Sequence, residues 1–247
     1  ILFLIASAPI AKAEYCIDPN ESDYQNFTSC SVLAKQGSAP SQYNLGYLYE
    51  HGIGVNQDYS EAVKWMKLAA AQGFAPALFG LGNLYSYGQG VTRDQQEAIK
   101  LFKLAAEQGY KEAQHNLGAI YNIGDGVSQN YEESIKWYKL AAEQGDANAQ
   151  YNLGIMYHDG EGVSQDYKEA LRWHRLAASQ GYAGSQYKLG LMYYFGEGVL
   201  QDYEEAVIWY RLAADQDYGS AQYNLGAHYN SGEGVSPNKK EAVYWFK

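Results

Sequence analysis

The stretch YNLGYLYEHGIGV, Tyr43–Val55, returns as YNLGIMYHDGEGV at Tyr151–Val163 and as YNLGAHYNSGEGV at Tyr223–Val235. Its Leu-Gly pair falls at Leu45-Gly46, Leu81-Gly82, Leu117-Gly118, Leu153-Gly154, Leu189-Gly190 and Leu225-Gly226, each 36 residues after the last. Split glycines keep the same step, from Gly52/Gly54 to Gly232/Gly234, as does a glutamate from Glu61 to Glu241. An ungapped period of this length means stacked supersecondary units whose apolar faces are buried only by their neighbours.

Within one period, Ser41, Leu45 and Tyr49 recur at helical spacing and predict a first helix, A, over roughly Pro40 to Glu50, with that face buried. Glycine inside a helix costs about 1 kcal/mol relative to alanine, so Gly46 and its copies imply a neighbour too close for a Cβ. The split glycines turn the corner, because glycine enters positive φ without steric cost. Asp58 with Glu61, repeated down to Asn238 with Glu241, predicts a capping box at the start of a second helix, B. Ala62, Trp65, Leu68 and Ala69 supply its apolar stripe, and Gln72-Gly73 ends it. Asp217 replaces that glycine in the fifth copy, where a distorted or loosened turn is expected. The predicted fold is all-α, a solenoid of stacked helix hairpins: six repeats over 39–247, the last truncated, preceded at 14–38 by a cap and a degenerate helix B.

These residues resemble the Sel1-like repeat family, relatives of the tetratricopeptide repeat. The family pattern reads here as Ala149, Leu153, Gly154, Tyr157, Gly160, Gly162, Val163, Asp166, Ala170, Trp173, Ala177, Ala178 and Gly181. Departures are Ser134 and Leu101 on helix B and Pro237 and Lys239 around the last corner. The resemblance implies a curved right-handed superhelix that holds protein partners. It does not choose among periplasmic regulators, secreted host-interaction proteins and assembly factors.

At the N-terminus, the apolar run Ile1–Ile10 followed by Ala11-Lys12-Ala13 fits the core and cleavage site of a secretory signal peptide, so residues 1–13 are read as its remnant, cleaved after Ala13. The run is too short to span a membrane. The absent basic segment and the stop at Lys247 suggest a fragment cut at both ends. Periplasmic or secreted residence makes one disulfide between Cys16 and Cys30 the expectation, with two free thiols as the alternative. Such a loop of about 15 residues would contribute roughly 3 kcal/mol in the chain-entropy model. The formal charge is −10, and an acidic chain without a basic patch argues against nucleic acid and anionic lipid.

Motifs for chemistry are weak. The GxG corners lack the Gly-Lys-Ser/Thr of a phosphate loop. Some cysteine-rich relatives carry a β-lactamase label, and S-x-x-K occurs at Ser185–Lys188 and Ser236–Lys239, but without the companion S-D-N or K-T-G elements. The five histidines are not spaced as metal ligands. No cofactor, metal site or catalytic residue is expected.

A partner surface is expected on helix A opposite Leu45, where Tyr43, Tyr47 and Glu50 project; in the related solenoids that side lines the concave surface. Columns that vary inside a copied scaffold are released from packing, and their apolar members Ile155, Leu191, Tyr194 and Phe195 gather beside Tyr151 and Tyr187 of the nearly uniform Tyr43 column. Aromatic anchors dominate interface energies, so these six are the candidate partner-binding residues for a protein of unknown identity. Alternatively, the column of Tyr43, Tyr151 and Tyr187 stacks between adjacent A helices. The 25 tyrosines also suit a glycan- or cell-wall-binding surface, and a hydrolase is the distant third reading.

Overall fold

The computed structural model describes residues 16–246; the segment 1–13 read above as a signal-peptide remnant, residues 14–15 and Lys247 lie outside them. Among the described residues there are thirteen helices and no strand. They run α1 (Asp23–Lys35), α2 (Ala39–His51), α3 (Tyr59–Ala71), α4 (Ala75–Tyr87), α5 (Gln95–Glu107), α6 (Lys111–Ile123), α7 (Tyr131–Glu143), α8 (Ala147–Asp159), α9 (Tyr167–Ser179), α10 (Ala183–Phe195), α11 (Tyr203–Ala214), α12 (Gly219–Ser231) and α13 (Lys239–Trp245). From α2 onward even numbers are A helices and odd numbers B helices, so consecutive helix hairpins form an all-α solenoid of repeats. The chain divides into two compact units, one reaching Ala113 and one starting at Gln114.

The helix A glycine faces helix B of its own repeat. A Cβ on Gly46 would lie 2.8 Å from Met66 Cγ, one on Gly82 2.6 Å from Phe102 Cε1, and one on Gly190 2.5 Å from Tyr210 Cδ1. The same slot brings Gly118 against Tyr138, Gly154 against His174 and Gly226 against Phe246. Each glycine therefore makes room for one large side chain twenty residues on. The alanine column of helix B adds to the close approach: Ala62, Ala98, Ala170 and Ala206 are fully buried. Where the third repeat has Ser134 instead, its hydroxyl donates to Gly118 O at 2.8 Å, which satisfies the buried polar atom.

Three contacts join one repeat to the next inside each unit. The second corner glycine lies on the first turn of the preceding helix B; a Cβ on Gly198 would be 2.6 Å from Tyr167 O. The basic residue at the ninth position of helix B meets a tyrosine of the next A helix, as in Lys67 over Tyr85 and Arg175 donating to the Tyr193 hydroxyl. A third contact, which sequence reading missed, is a ladder of buried glutamines. Gln150 Nε2 donates to Ala142 O of the preceding helix B at 3.0 Å, while its Oε1 accepts from Gln180 Nε2 at 2.8 Å. Gln186 repeats the arrangement with Ala178 O and Gln216, as does Gln42 with Ala34 O and Gln72.

Two sequence expectations change. The Asp/Glu pair of helix B is half a capping box: Asp58 Oδ1 accepts from Glu61 N at 3.1 Å, but the Glu61 carboxylate turns to Lys64 and Trp65. The reciprocal box forms instead at Ser22 and Gln25 of α1. Nor is the Asp217 turn distorted. Asp217 takes φ 61° and keeps the turn bonds, Asp217 N to Ala214 O and Tyr218 N to Ala213 O, made by Gly181 and Tyr182 one repeat earlier. Aspartate tolerates the left-handed region better than most residues, so the turn keeps its bonds, although α11 ends one residue earlier than α9.

At the N-terminus Cys16 and Cys30 are disulfide-bonded with Cα atoms 4.7 Å apart. Both are buried with Ala34, Leu45 and Leu48, so the cross-link pins the segment before α1 to the face that meets α2.

Replacing Gln150 by Ala would remove both ladder bonds, leaving the buried Ala142 carbonyl with its turn bond from Gly145 N alone and Gln180 without its tie to the stack. Chemical denaturation should show a loss of about 1–3 kcal/mol. Gln150→Leu should cost less, because leucine fills the space, as Leu78 does in the second repeat, where Gln108 donates to Leu104 O instead.

Candidate protein-interaction face

The six candidate residues lie on α8 and α10, and the structure sorts them into two roles. Tyr151 and Tyr187 are half-buried and pair with the aromatic residue thirty-one positions on: Tyr151 with Tyr182 at 5.0 Å between ring centroids, Tyr187 with Tyr218 at 5.2 Å. Tyr43 with Phe74 and Phe79 with Tyr110 make the same pair. In the third repeat the slot holds His115 with Nδ1 3.2 Å from Asp146 Oδ1. This column therefore packs each A helix against the residue that opens the next one, in keeping with the stacking alternative. Ile155 is half-buried, and Leu191 packs beside Tyr187 and Tyr194 on the buried cluster around Tyr210 and Leu225.

Tyr194 and Phe195 differ from the rest. Tyr194 is half-buried, 5.2 Å from the Tyr203 ring and edge-on to His228 at 5.5 Å. Phe195 stands perpendicular to Tyr194 at 4.9 Å and is 61 % exposed. The Tyr194 contact braces one side of the phenyl ring and leaves the rest of it open to solvent. The same terminal position of helix A exposes Tyr87 and Ile123 still further, whereas the fourth repeat has Asp159 there.

Two residues after Phe195, Glu197 meets a histidine of the preceding repeat. His158, at the end of α8, has Nδ1 2.6 Å from Asp159 Oδ1 and Nε2 3.0 Å from Glu197 Oε2, the latter in the corner after α10. Burial works against its charged form, but the hydrogen bonds to Asp159 and Glu197 outweigh it and the net shift is upward from 6.5. His174 behaves oppositely: fully buried against Gly154, it is held down to about 3, first by burial and then by the charges of Lys188 and His158. Its Nδ1 lies 3.3 Å from Ser185 Oγ. Ser185 is itself fully buried, so the serine of the first S-x-x-K sequence is a core residue with no access to a substrate.

Sequence reading also missed an apolar patch on the outer side of helix B. Four repeats place a cation three residues after the helix B glutamate, as in Lys64 with Glu61 at 3.0 Å and Arg172 with Glu169 at 3.2 Å. The fifth and sixth have Ile208 and Tyr244 at that position, 53 % and 66 % exposed. The signal was present in the column Lys64, Lys100, Lys136, Arg172, Ile208, Tyr244. Among the described residues no helix is long and apolar enough to cross a membrane.

The family described as Sel1 repeat matches residues 39–74, 75–110, 111–146, 147–182, 183–218 and 219–247, the same six blocks marked by the Leu-Gly pairs. Similar solved structures include the following two. One is c5321, a protective antigen present in uropathogenic Escherichia coli strains, which displays an SLR fold; it is 39 % identical with a TM-score of 0.87 over 90 % of this chain and 48 % of its own. The other is a Sel1 repeat protein from Oxalobacter formigenes, 32 % identical with a TM-score of 0.79, covering 90 % of this chain and 89 % of its own. This chain thus spans about half the length of the E. coli protein. No curated protein matches it. Six contiguous matches, and the helix hairpins behind them, place the chain in the Sel1 repeat family.

Proposed function

We propose that this chain is a non-catalytic scaffold that holds a protein partner on the helix A face of the fourth and fifth repeats, outside the cytosol of a bacterium, in the periplasm or secreted. Sel1-repeat proteins are generally protein-interaction scaffolds. The observation that carries the finer reading is Phe195, exposed, apolar and braced by Tyr194. Ile155, Leu191 and Tyr194 are partly exposed apolar residues on the same two A helices, and Tyr151 and Tyr187 brace those helices through their ring pairs. Rigid aromatic anchors of this kind carry most of the energy of protein interfaces.

The exposed rings of Tyr87, Phe195 and Tyr223 favour a second reading, stacking on the sugars of a glycan or of the cell wall. Location outside the cytosol is supported by the Cys16–Cys30 disulfide and by the E. coli relative being a protective antigen.

With a partner first identified by pull-down, titration calorimetry should show that truncating Tyr194 and Phe195 together to Ala weakens binding by about 2 kcal/mol or more. Phe195→Ala alone should account for most of the loss, with unchanged circular dichroism. Unchanged affinity would refute the assignment, and a larger loss from Ile208→Lys with Tyr244→Lys would move the site to helix B. Binding to isolated cell wall but to no protein would favour the sugar reading. Mass spectrometry of non-reduced periplasmic material should recover the Cys16–Cys30 cross-linked peptide, and free thiols there would contradict the proposed location.

A further inference from the structure

The bracket around His158 has a property that the neighbouring repeats lack. Its helix A column reads Glu50, Asn122, His158, Tyr194 and Asn230 in the first, third, fourth, fifth and sixth repeats. The middle residue of the next repeat's corner, thirty-nine positions on, is Gln89 after Glu50, Glu161 after Asn122, Glu197 after His158 and Glu233 after Tyr194. Among these pairs, the fourth repeat alone sets an imidazole against a carboxylate of the following corner.

Both ring nitrogens of His158 face carboxylate oxygens, Asp159 Oδ1 at 2.6 Å and Glu197 Oε2 at 3.0 Å. A carboxylate only accepts hydrogen bonds, and a neutral imidazole has a single N–H, whereas imidazolium has two. The bracket is complete only when the ring is protonated. Removing the proton leaves one nitrogen lone pair facing an anionic oxygen at close range. The ring also packs edge-on to Tyr167 at 5.1 Å, and Tyr167 is the residue whose carbonyl touches Gly198 of the same corner. His158 thus bonds the Gly196–Gly198 corner through Glu197, and Tyr167 lies close against the same corner at Gly198.

We propose that His158 is a proton-operated clamp that fixes the corner after α10 to the end of α8 when charged and loosens it when neutral. Because Phe195 immediately precedes Gly196, the clamp sets how firmly that ring is presented; this regulatory consequence rests on the binding reading above, while the clamp itself does not. The titratable groups around it are Asp159 on its own helix, Glu197 in the corner, and Tyr167 and His174 on α9, with Lys188 of α10 acting on His174. His174 stays neutral in the fold down to about pH 3 and does not compete for the proton.

The two histidines act in different pH windows. His158 has its folded value above the ordinary 6.5, so its stabilisation is complete below 6.5 and is lost as pH rises through the folded value. His174 has its folded value far below 6.5, so it weakens the fold only as pH falls below 6.5.

The test is an NMR titration of the histidine rings in the whole chain, without any partner, beside thermal melts of the parent, His158→Asn and Glu197→Gln. Asparagine stands at this position in the third and sixth repeats, so the first variant keeps a residue the scaffold accepts. His158 should titrate above 6.5 in the parent and move down toward 6.5 in Glu197→Gln, which also serves if His158→Asn does not fold. The parent's advantage in melting temperature over His158→Asn should be full below pH 6.5 and shrink above it. A His158 midpoint at or below 6.5, or one unmoved by Glu197→Gln, would overturn the clamp. If the clamp titrates as expected but the partner binds equally well at both ends of the range, the regulatory consequence for Phe195 is overturned and the clamp stands; loss of binding to the Tyr194 and Phe195 site would instead be read from the aromatic variants above.

Discussion

The close approach of helix A to helix B at the Leu-Gly pair is the constraint on which the rest of the structure depends. A glycine on one helix and a Met, Phe, Tyr or His on the other occupy one slot. With the alanine column beside it, that slot sets the separation of the two helices, and therefore which residues of each helix remain for the neighbouring repeat. Interiors are packed to crystal-like density, so the slot admits a large residue on one side only. This explains why four residue types, Met, Phe, Tyr and His, appear opposite the glycine across the six repeats while the glycine itself never changes.

Much of this was legible in the sequence because glycine, alanine and a strict period leave few alternatives. Gly46 and its copies announced a close contact, though not that the partner was helix B of the same repeat. Gln42, Gln150 and Gln186 were overlooked because glutamine is ordinarily a surface residue. Only the fold puts each amide within reach of both a preceding helix end and a second glutamine thirty residues on. Asp58 and Glu61 had the right spacing for a capping box, but a lysine and a tryptophan one turn later compete for the carboxylate.

The candidate site was legible in part. The variable columns pointed to α8 and α10, but periodicity alone could not separate a ring that braces the stack from one that meets a partner. Tyr151 and Tyr187 recur because each pairs with the next repeat's opening residue, whereas Phe195 occupies a position that packing leaves free. The same logic reveals Ile208 and Tyr244, where a column of exposed cations turns apolar. Scaffold and surface thus share one chain: columns fixed by the slot, the glutamines and the ring pairs build the array, and columns outside them are available for recognition.

The most direct test of the slot is the stability of Gly82→Ala in two backgrounds. Alanine is favoured over glycine in a helix by about 1 kcal/mol, yet its Cβ would meet the Phe102 ring at 2.6 Å, and that ring is buried beside Phe79. The slot requires that Gly82→Ala destabilise the parent protein and stabilise the Phe102→Ala variant, a reversal of sign that reports direct coupling between the two positions. Gly82→Ala stabilising both backgrounds by the same amount would contradict it.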